Sequence, residues 1–194
     1  MSDREDLRIV KTRRSIVAAF LELLQVHSFE QITVRQLLEK ALISKGTFYA
    51  HYLDKYDLAE KVVASTLQEF RSDIHKRMAS VRDGGSHEAI SASLLHTLNT
   101  TVPRLKLLMK IRTDKINIER DMCSIITDEY LSFHKARGTK LENPDLRAHI
   151  ITTFILGFLS WQKAHPFQIT LDDYTKEIKS AISAYEELSR LLQP

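Results

Sequence analysis

Apolar side chains recur every three to four positions along most of the chain, the period of a helix rather than of a strand. Ile16, Ala19, Phe20 and Leu23 form one apolar face and predict a first helix over 7–26, with Arg13 and Arg14 near its start and off that face. Thr33 followed by Gln36 has the pattern of a capping box, and Ile32 and Leu37 stand where a hydrophobic staple forms. A short second helix is therefore expected from Val34 to Ala41. Ser44 is placed to cap a third short helix through Tyr49 or Ala50. Only Leu42 and Ile43 separate the two, so the chain must turn sharply between them. Asp54, with Leu53 and Leu58 placed as its staple, opens a long helix to about Ser80.

The clearest break is Arg82 to His87, where Gly84 and Gly85 are adjacent. Beyond it the pattern predicts a helix from Ser86 to Thr100 and, after Pro103, a short basic segment. A helix from Glu119 to Ala136 follows, then a turn at Gly138. Asn143 and Pro144 open a long helix reaching His165, and Pro166 ends it. Thr170 or Asp172 caps a last helix to Leu192. The fold class expected is all-α: a three-helix unit over 1–55 and a larger helical domain over 56–194, linked by the helix over 54–80.

Composition sharpens this only a little. Five glycines and four prolines in 194 residues favour long helices over a turn-rich β architecture. The single cysteine, Cys123, cannot staple the fold to itself and reads as a reduced thiol. The start, MSDREDLRIVKTRR, has no apolar signal region behind it. The greasiest stretch, Ile150 to Trp161, falls short of the roughly 20 apolar residues that span a bilayer. A soluble cytoplasmic protein with no membrane partner is expected. The formal net charge of +3 says nothing about nucleic acid, but between Leu7 and Tyr56 eight bases face four acids, a local and moderate excess.

Two helices joined by a tight turn, the second short and polar, have the physical form of a helix-turn-helix, whose second helix fits the major groove. The residues between Thr33 and Lys55 suit that task. Lys45 can meet phosphate, and Gly46 lets the backbone approach the sugar-phosphate wall. Thr47 offers a hydroxyl or a methyl to a base edge, while Tyr49 and His51 can bond phosphate oxygens. Lys55 and Thr33 stand at helix starts, where backbone amides already favour an anion. Arg35 reaches from the second helix toward the groove. Leu37, Leu38, Ile43, Phe48 and Tyr52 are the expected packing residues between the helices. A purely structural three-helix unit would explain Phe20, Leu37 and Phe48 equally well. It does not explain the ordered polar set from Lys45 to Lys55.

The run ITVRQLLEKALISKGTFYAHYLDKYDL resembles the DNA-binding region of the TetR family of transcriptional regulators. The likeness covers roughly Arg13 to Val62, and Ser-Lys-Gly-Thr-Phe-Tyr-x-His-Tyr-x-x-Lys is its most specific part. By this resemblance Thr33, Ser44, Lys45, Gly46, Tyr49, His51 and Lys55 align with phosphate-contacting positions, and Arg35 and Thr47 with positions that often reach bases. The resemblance implies a homodimer on a two-fold-symmetric double-stranded DNA operator, usually repressing, and released by a small-molecule or protein effector bound in the C-terminal domain. Two positions depart from the pattern. Leu42 stands where the family usually has a turn glycine, with an altered turn and added apolar packing as the expected result. Ala50 replaces a larger residue.

In the last helix Tyr174, Ile178, Ala181, Tyr185 and Leu188 recur at alternating spacings of four and three, a seam suited to another helix. The helix before it is apolar on more than one face, through Ile151, Phe154 and Phe158 among others, and must be covered from several sides. These eight residues are the expected dimer interface, the alternative being a larger core within one chain. Tyr130, Phe133, Phe154, Phe158 and Trp161 either line an apolar effector pocket or pack as core. Arg104, Lys106, Lys110, Arg112 and Lys115 either hold an anion or a partner, or form a solvated face. No cofactor, metal site or catalytic residue is expected: there is no phosphate loop, nucleophile elbow or zinc motif. The class set against a DNA-binding regulator is a helical interaction module with a vestigial helix-turn-helix.

Overall fold

The computed structural model describes residues 2–164 and, beyond these, 173, 176, 177, 179–181, 183 and 184. Eight helices are assigned among them: α1 (Ser2–Val26), α2 (Val34–Ala41), α3 (Lys45–Tyr49), α4 (Lys55–Arg82), α5 (His87–Asn99), α6 (Thr101–Leu108), α7 (Ile118–Ala136) and α8 (Pro144–Ala164). The last predicted helix, with Tyr174, Ile178, Tyr185 and Leu188, lies outside the described residues apart from a few positions.

α1 begins earlier than its apolar face requires. Ile16, Ala19, Phe20, Leu23 and Leu24 are its buried face. α4 is the long central strut. Leu58, Ala59, Val62, Val63, Thr66, Phe70 and Ile74 are buried along it, and α5, α6 and α7 all pack against it. Asp54 caps α4 through bonds from the Tyr56 and Asp57 amides, but Leu53 is 79% exposed, so the staple expected there does not form. Gly84, at φ +76°, takes the chain from α4 toward α5 in the left-handed conformation open to glycine.

The basic segment after Pro103 is helical as far as Leu108. α6 starts at Thr101 with Pro103 in its first turn, where a missing amide proton costs no helical bond. Val102, Leu105 and Leu108 are buried on it. Three of the segment's charges are engaged: Arg104 pairs with Glu69 at 2.7 Å, Lys115 pairs with Glu60 at 3.3 Å, and Lys110 donates to the Leu24 and Gln25 carbonyls at 3.1 and 3.2 Å. The last contact neutralises the open C-terminal end of α1, as a cation there does.

The chain divides into two compact units, Met1–Ala148 and His149–Pro194. The boundary expected at 55/56 falls inside the first, because α1 packs on α6 as well as on α2. Polar groups within that unit are cross-linked. Asp73 accepts from Thr101 at 3.0 Å and lies 3.2 Å from the Thr97 hydroxyl, which in turn accepts from Arg77 at 2.8 Å. Glu129, nearly buried on α7, meets His75 at 2.9 Å and Arg71 at 3.6 Å on α4.

The turn between α2 and α3 holds the one non-glycine residue with positive φ among those described. Leu42 sits at φ 54°, ψ 46°, and its amide bonds the Leu38 carbonyl. It is 91% exposed, so it adds no packing, contrary to the expectation from sequence. Leucine here accepts the left-handed turn that glycine takes more cheaply. The left-handed state costs a side-chain-bearing residue about 1–2 kcal/mol, part of which glycine's extra unfolded-state entropy offsets. Leu42→Gly is therefore expected to raise stability by about 0.5–1 kcal/mol. A lower urea midpoint for this variant would show that Leu42 contributes contacts after all.

Candidate nucleic-acid interface

The helix pair is built as its cap residues dictate. Thr33 Oγ1 accepts from the Gln36 amide at 3.3 Å, and Gln36 Oε1 accepts from the Thr33 amide at 2.8 Å, which completes a reciprocal box. Ser44 Oγ accepts from the Thr47 amide at 3.1 Å and starts α3. Leu37, Phe48 and Tyr52 are buried and fix α3 on the unit, with Phe48 at 0% exposure and its ring 5.8 Å from that of Tyr52. Leu38 and Ile43 are half-buried. Ser15 of α1 donates to the Ala41 carbonyl at 3.1 Å and holds the end of α2. Thr33→Ala removes the box and is expected to cost about 1 kcal/mol; an unchanged denaturation midpoint would count against the cap as a stabilising element.

The opposite side of α3 is open. Ser44, Lys45, Gly46, Tyr49 and Ala50 are exposed, and the Lys45 ammonium lies 5.9 Å from the centre of the Tyr49 ring. Thr47 is half-buried, and its hydroxyl is 2.8 Å from that of Ser44. Arg35 leaves 86% of its side chain in solvent and pairs with Glu39 at 2.8 Å, a bond that raises the guanidinium pKa. An exposed pair of this kind is worth little and is readily exchanged for another anion. Thr33, at the N-terminus of α2, is exposed beside the open amides of that helix. His51 is half-buried just beyond α3. Its carbonyl accepts from Lys61 at 3.3 Å, and the Lys61 bond to Asp57 holds that carboxyl below the ordinary range.

Lys55 does something different from the phosphate contact expected of it. Its ammonium donates to the carbonyls of Phe29, Glu30 and Ile32 at 3.0, 3.0 and 2.8 Å, using all three protons, and it lies 5.0 Å from the centre of the Phe29 ring. It closes the loop between α1 and α2 from the start of α4. An ammonium with three carbonyls already bound has no proton left for a phosphate. Lys110, which sequence reasoning left as one base in a solvated run, performs a similar service at the end of α1. Nothing local marks either role, since the partners lie 23 or more positions away.

The other expected residues fall elsewhere. Tyr130 and Phe133 are half-buried on α7, with ring centres 4.5 and 5.3 Å from that of His134, and Arg137 lies over Phe133. On α8, Ile150, Phe154 and Trp161 are 45%, 46% and 39% exposed, while Ile151 is half-buried. Phe158 is helical in α8, and Ala181 is exposed. Among the described residues no group of three His, Cys, Asp or Glu could hold a metal, and no helix is long and apolar enough to cross a membrane.

A short capped helix, anchored through Phe48 and open through Lys45, Gly46 and Tyr49, has with α2 the form of a helix-turn-helix. Residues 16–62 match the model of the bacterial regulatory proteins of the tetR family. It is 26% identical over 176 residues to the uncharacterized HTH-type transcriptional regulator YxbF of Bacillus subtilis, a match covering 87% of this chain. The chain spans 45% of that relative's length. Among solved structures, a TerR/AcrR-family transcriptional regulator from Aquifex aeolicus is similar at a TM-score of 0.61 and 18% identity, over 90% of this chain and 99% of that one. Reduced NemR from E. coli is similar at a TM-score of 0.55 and 18% identity, over 87% and 96%. SmeT in complex with triclosan reaches a TM-score of 0.59 at 18% identity, over 80% and 81%. At these identities the likeness is one of fold.

Proposed function

We propose that the protein is a sequence-specific DNA-binding transcriptional regulator, acting as a homodimeric repressor on a two-fold-symmetric operator. The observation that carries this is the division of α3 into a buried anchor, Phe48, and an exposed face bearing Lys45, Gly46 and Tyr49. Thr33, Ser44, Lys45, Gly46, Tyr49 and His51 are assigned to the phosphate backbone, and Arg35 and Thr47 to base edges. Lys55 is not assigned a contact, because its protons are used within the fold. Two copies of α3 one DNA turn apart, about 34–36 Å, read the two half-sites.

The dimer reading rests on α8, where Ile150, Phe154, Gly157 and Trp161 fall on one face and are all exposed. A side chain added at Gly157 meets nothing within 4 Å, which leaves room there for close approach of another helix. The predicted seam of Tyr174, Ile178, Ala181, Tyr185 and Leu188 joins it in the same reading. An effector bound in the C-terminal part changes the angle between subunits and releases the operator. The triclosan held by SmeT makes a small apolar molecule the reading of choice for that effector.

Selection of bound DNA from a random pool, with purified protein at low salt, tests the function. The expected result is one enriched two-fold-symmetric sequence, with affinity falling on a log–log salt plot by a slope of about −0.9 for each phosphate neutralised. No enrichment at low salt, or a strictly monomeric protein by light scattering, would overturn the reading.

A further inference from the structure

The structure contains a second feature, which shares only His51 with the proposed DNA contacts. Between α1 and α4, closed at one side by α6, lies a cleft of about 660 Å³, inside the roughly 300–1,000 Å³ of small-molecule sites. It lies wholly within the first compact unit and is lined by none of the aromatic residues considered above as an effector pocket.

Its chemistry is two-sided. One wall is apolar, formed by Val17, Ala18 and Leu21 on one face of α1 and by Val62 of α4. That face of α1 is distinct from its core face, and Ala18 is exposed on it. The other wall is cationic. Arg13, Arg14, Lys61 and Arg104 line the cleft against a single carboxylate, Glu69. Two of these cations are engaged, Lys61 by Asp57 at 2.8 Å and Arg104 by Glu69 at 2.7 Å. Among the described residues neither Arg13 nor Arg14 makes an ion pair. Tyr52 also lines the cleft; burial pushes its pKa up, and the charge of Arg13 works against that shift.

We infer that this cleft binds a small amphipathic anion, a carboxylate on an aliphatic or aromatic body, with the acid on Arg13 and Arg14 and the body against Val17, Leu21 and Val62. Guanidinium groups are suited to a carboxylate, which they can grip in a bidentate fork. An inorganic anion would leave the apolar wall wet, and a neutral hydrocarbon would leave both guanidinium groups without a counter-charge. DNA phosphate matches the arginines but offers nothing to the apolar wall.

Titration calorimetry with decanoate, below its micelle concentration and without DNA, tests this on the full chain. One saturable site per chain is expected, with decanol and inorganic phosphate each at least tenfold weaker. The Arg13→Gln/Arg14→Gln double variant, changed only at exposed positions, is expected to lose at least tenfold in decanoate affinity at an unchanged melting temperature. Val17→Asp, which sets a negative charge in the apolar wall, is expected to lose as much. Phosphate binding as tightly as decanoate, undiminished decanoate binding in the double variant, or no binding to the parent chain would each overturn the assignment. Because no DNA is present, failure here leaves the operator-binding reading standing, and failure of that reading leaves this one standing.

Discussion

Lys55→Ala is expected to destabilise the protein by about 2–3 kcal/mol, because a hydrogen bond to a charged group contributes about 1.5–3 kcal/mol and bonds that share one ammonium do not add fully. The Phe29, Glu30 and Ile32 carbonyls lose their common donor, and the loop that sets α2 on α1 loses its clamp. For a chain of this size that corresponds to a fall in melting temperature of roughly 5–10 °C. DNA affinity measured well below the new melting temperature is expected to fall much less than the stability, since the lysine has no proton left for phosphate. The two quantities separate the roles. A variant that melts like the parent but binds operator weakly would return Lys55 to the phosphate-contacting set.

Gly46→Ala is expected to move stability and DNA affinity in opposite directions. Gly46 is exposed in the first turn of α3, and its φ is not in the left-handed region. A methyl group added there meets only Ser44 Oγ, at 3.9 Å, an ordinary contact. Within the protein nothing requires glycine, and alanine favours a helix by up to about 1 kcal/mol. The fold therefore gains a few tenths of a kcal/mol or more. If the backbone at Gly46 approaches the sugar-phosphate wall closely, the same methyl holds α3 off the DNA and lowers affinity by roughly 10- to 100-fold, a loss of about 1.4–2.8 kcal/mol. Denaturation and gel-shift titration on the selected operator check both halves. An alanine variant that binds as the parent does would remove Gly46 from the interface.

The short helices were legible because their signals are local. Thr33 with Gln36, Ser44 with Thr47, and Asp54 with the amides that follow all act within one turn, and the helices start where those residues stand. Reading failed where a residue's partner is distant or where exposure decides its role. Leu53 has the right spacing for a staple, yet it faces water. Leu42 looks like added packing by its chemistry, yet it occupies a solvent-exposed left-handed turn. Arg13 and Arg14 were visible only as charges off the apolar face of α1; the apolar wall near them comes partly from α4, some 45 positions along.

By itself the sequence determined where α2 and α3 begin and end, where α4 begins, and that Phe48 rather than Tyr49 anchors α3. Period and capping are properties of neighbours within a turn, and need no knowledge of the rest of the chain. Only the tertiary structure decided which cations are used internally. The protons of Lys55 and Lys110 go to carbonyls brought near by packing, while among the described residues Arg13, Arg14 and Lys45 have no carboxylate partner, and that choice depends on which helix ends meet in space.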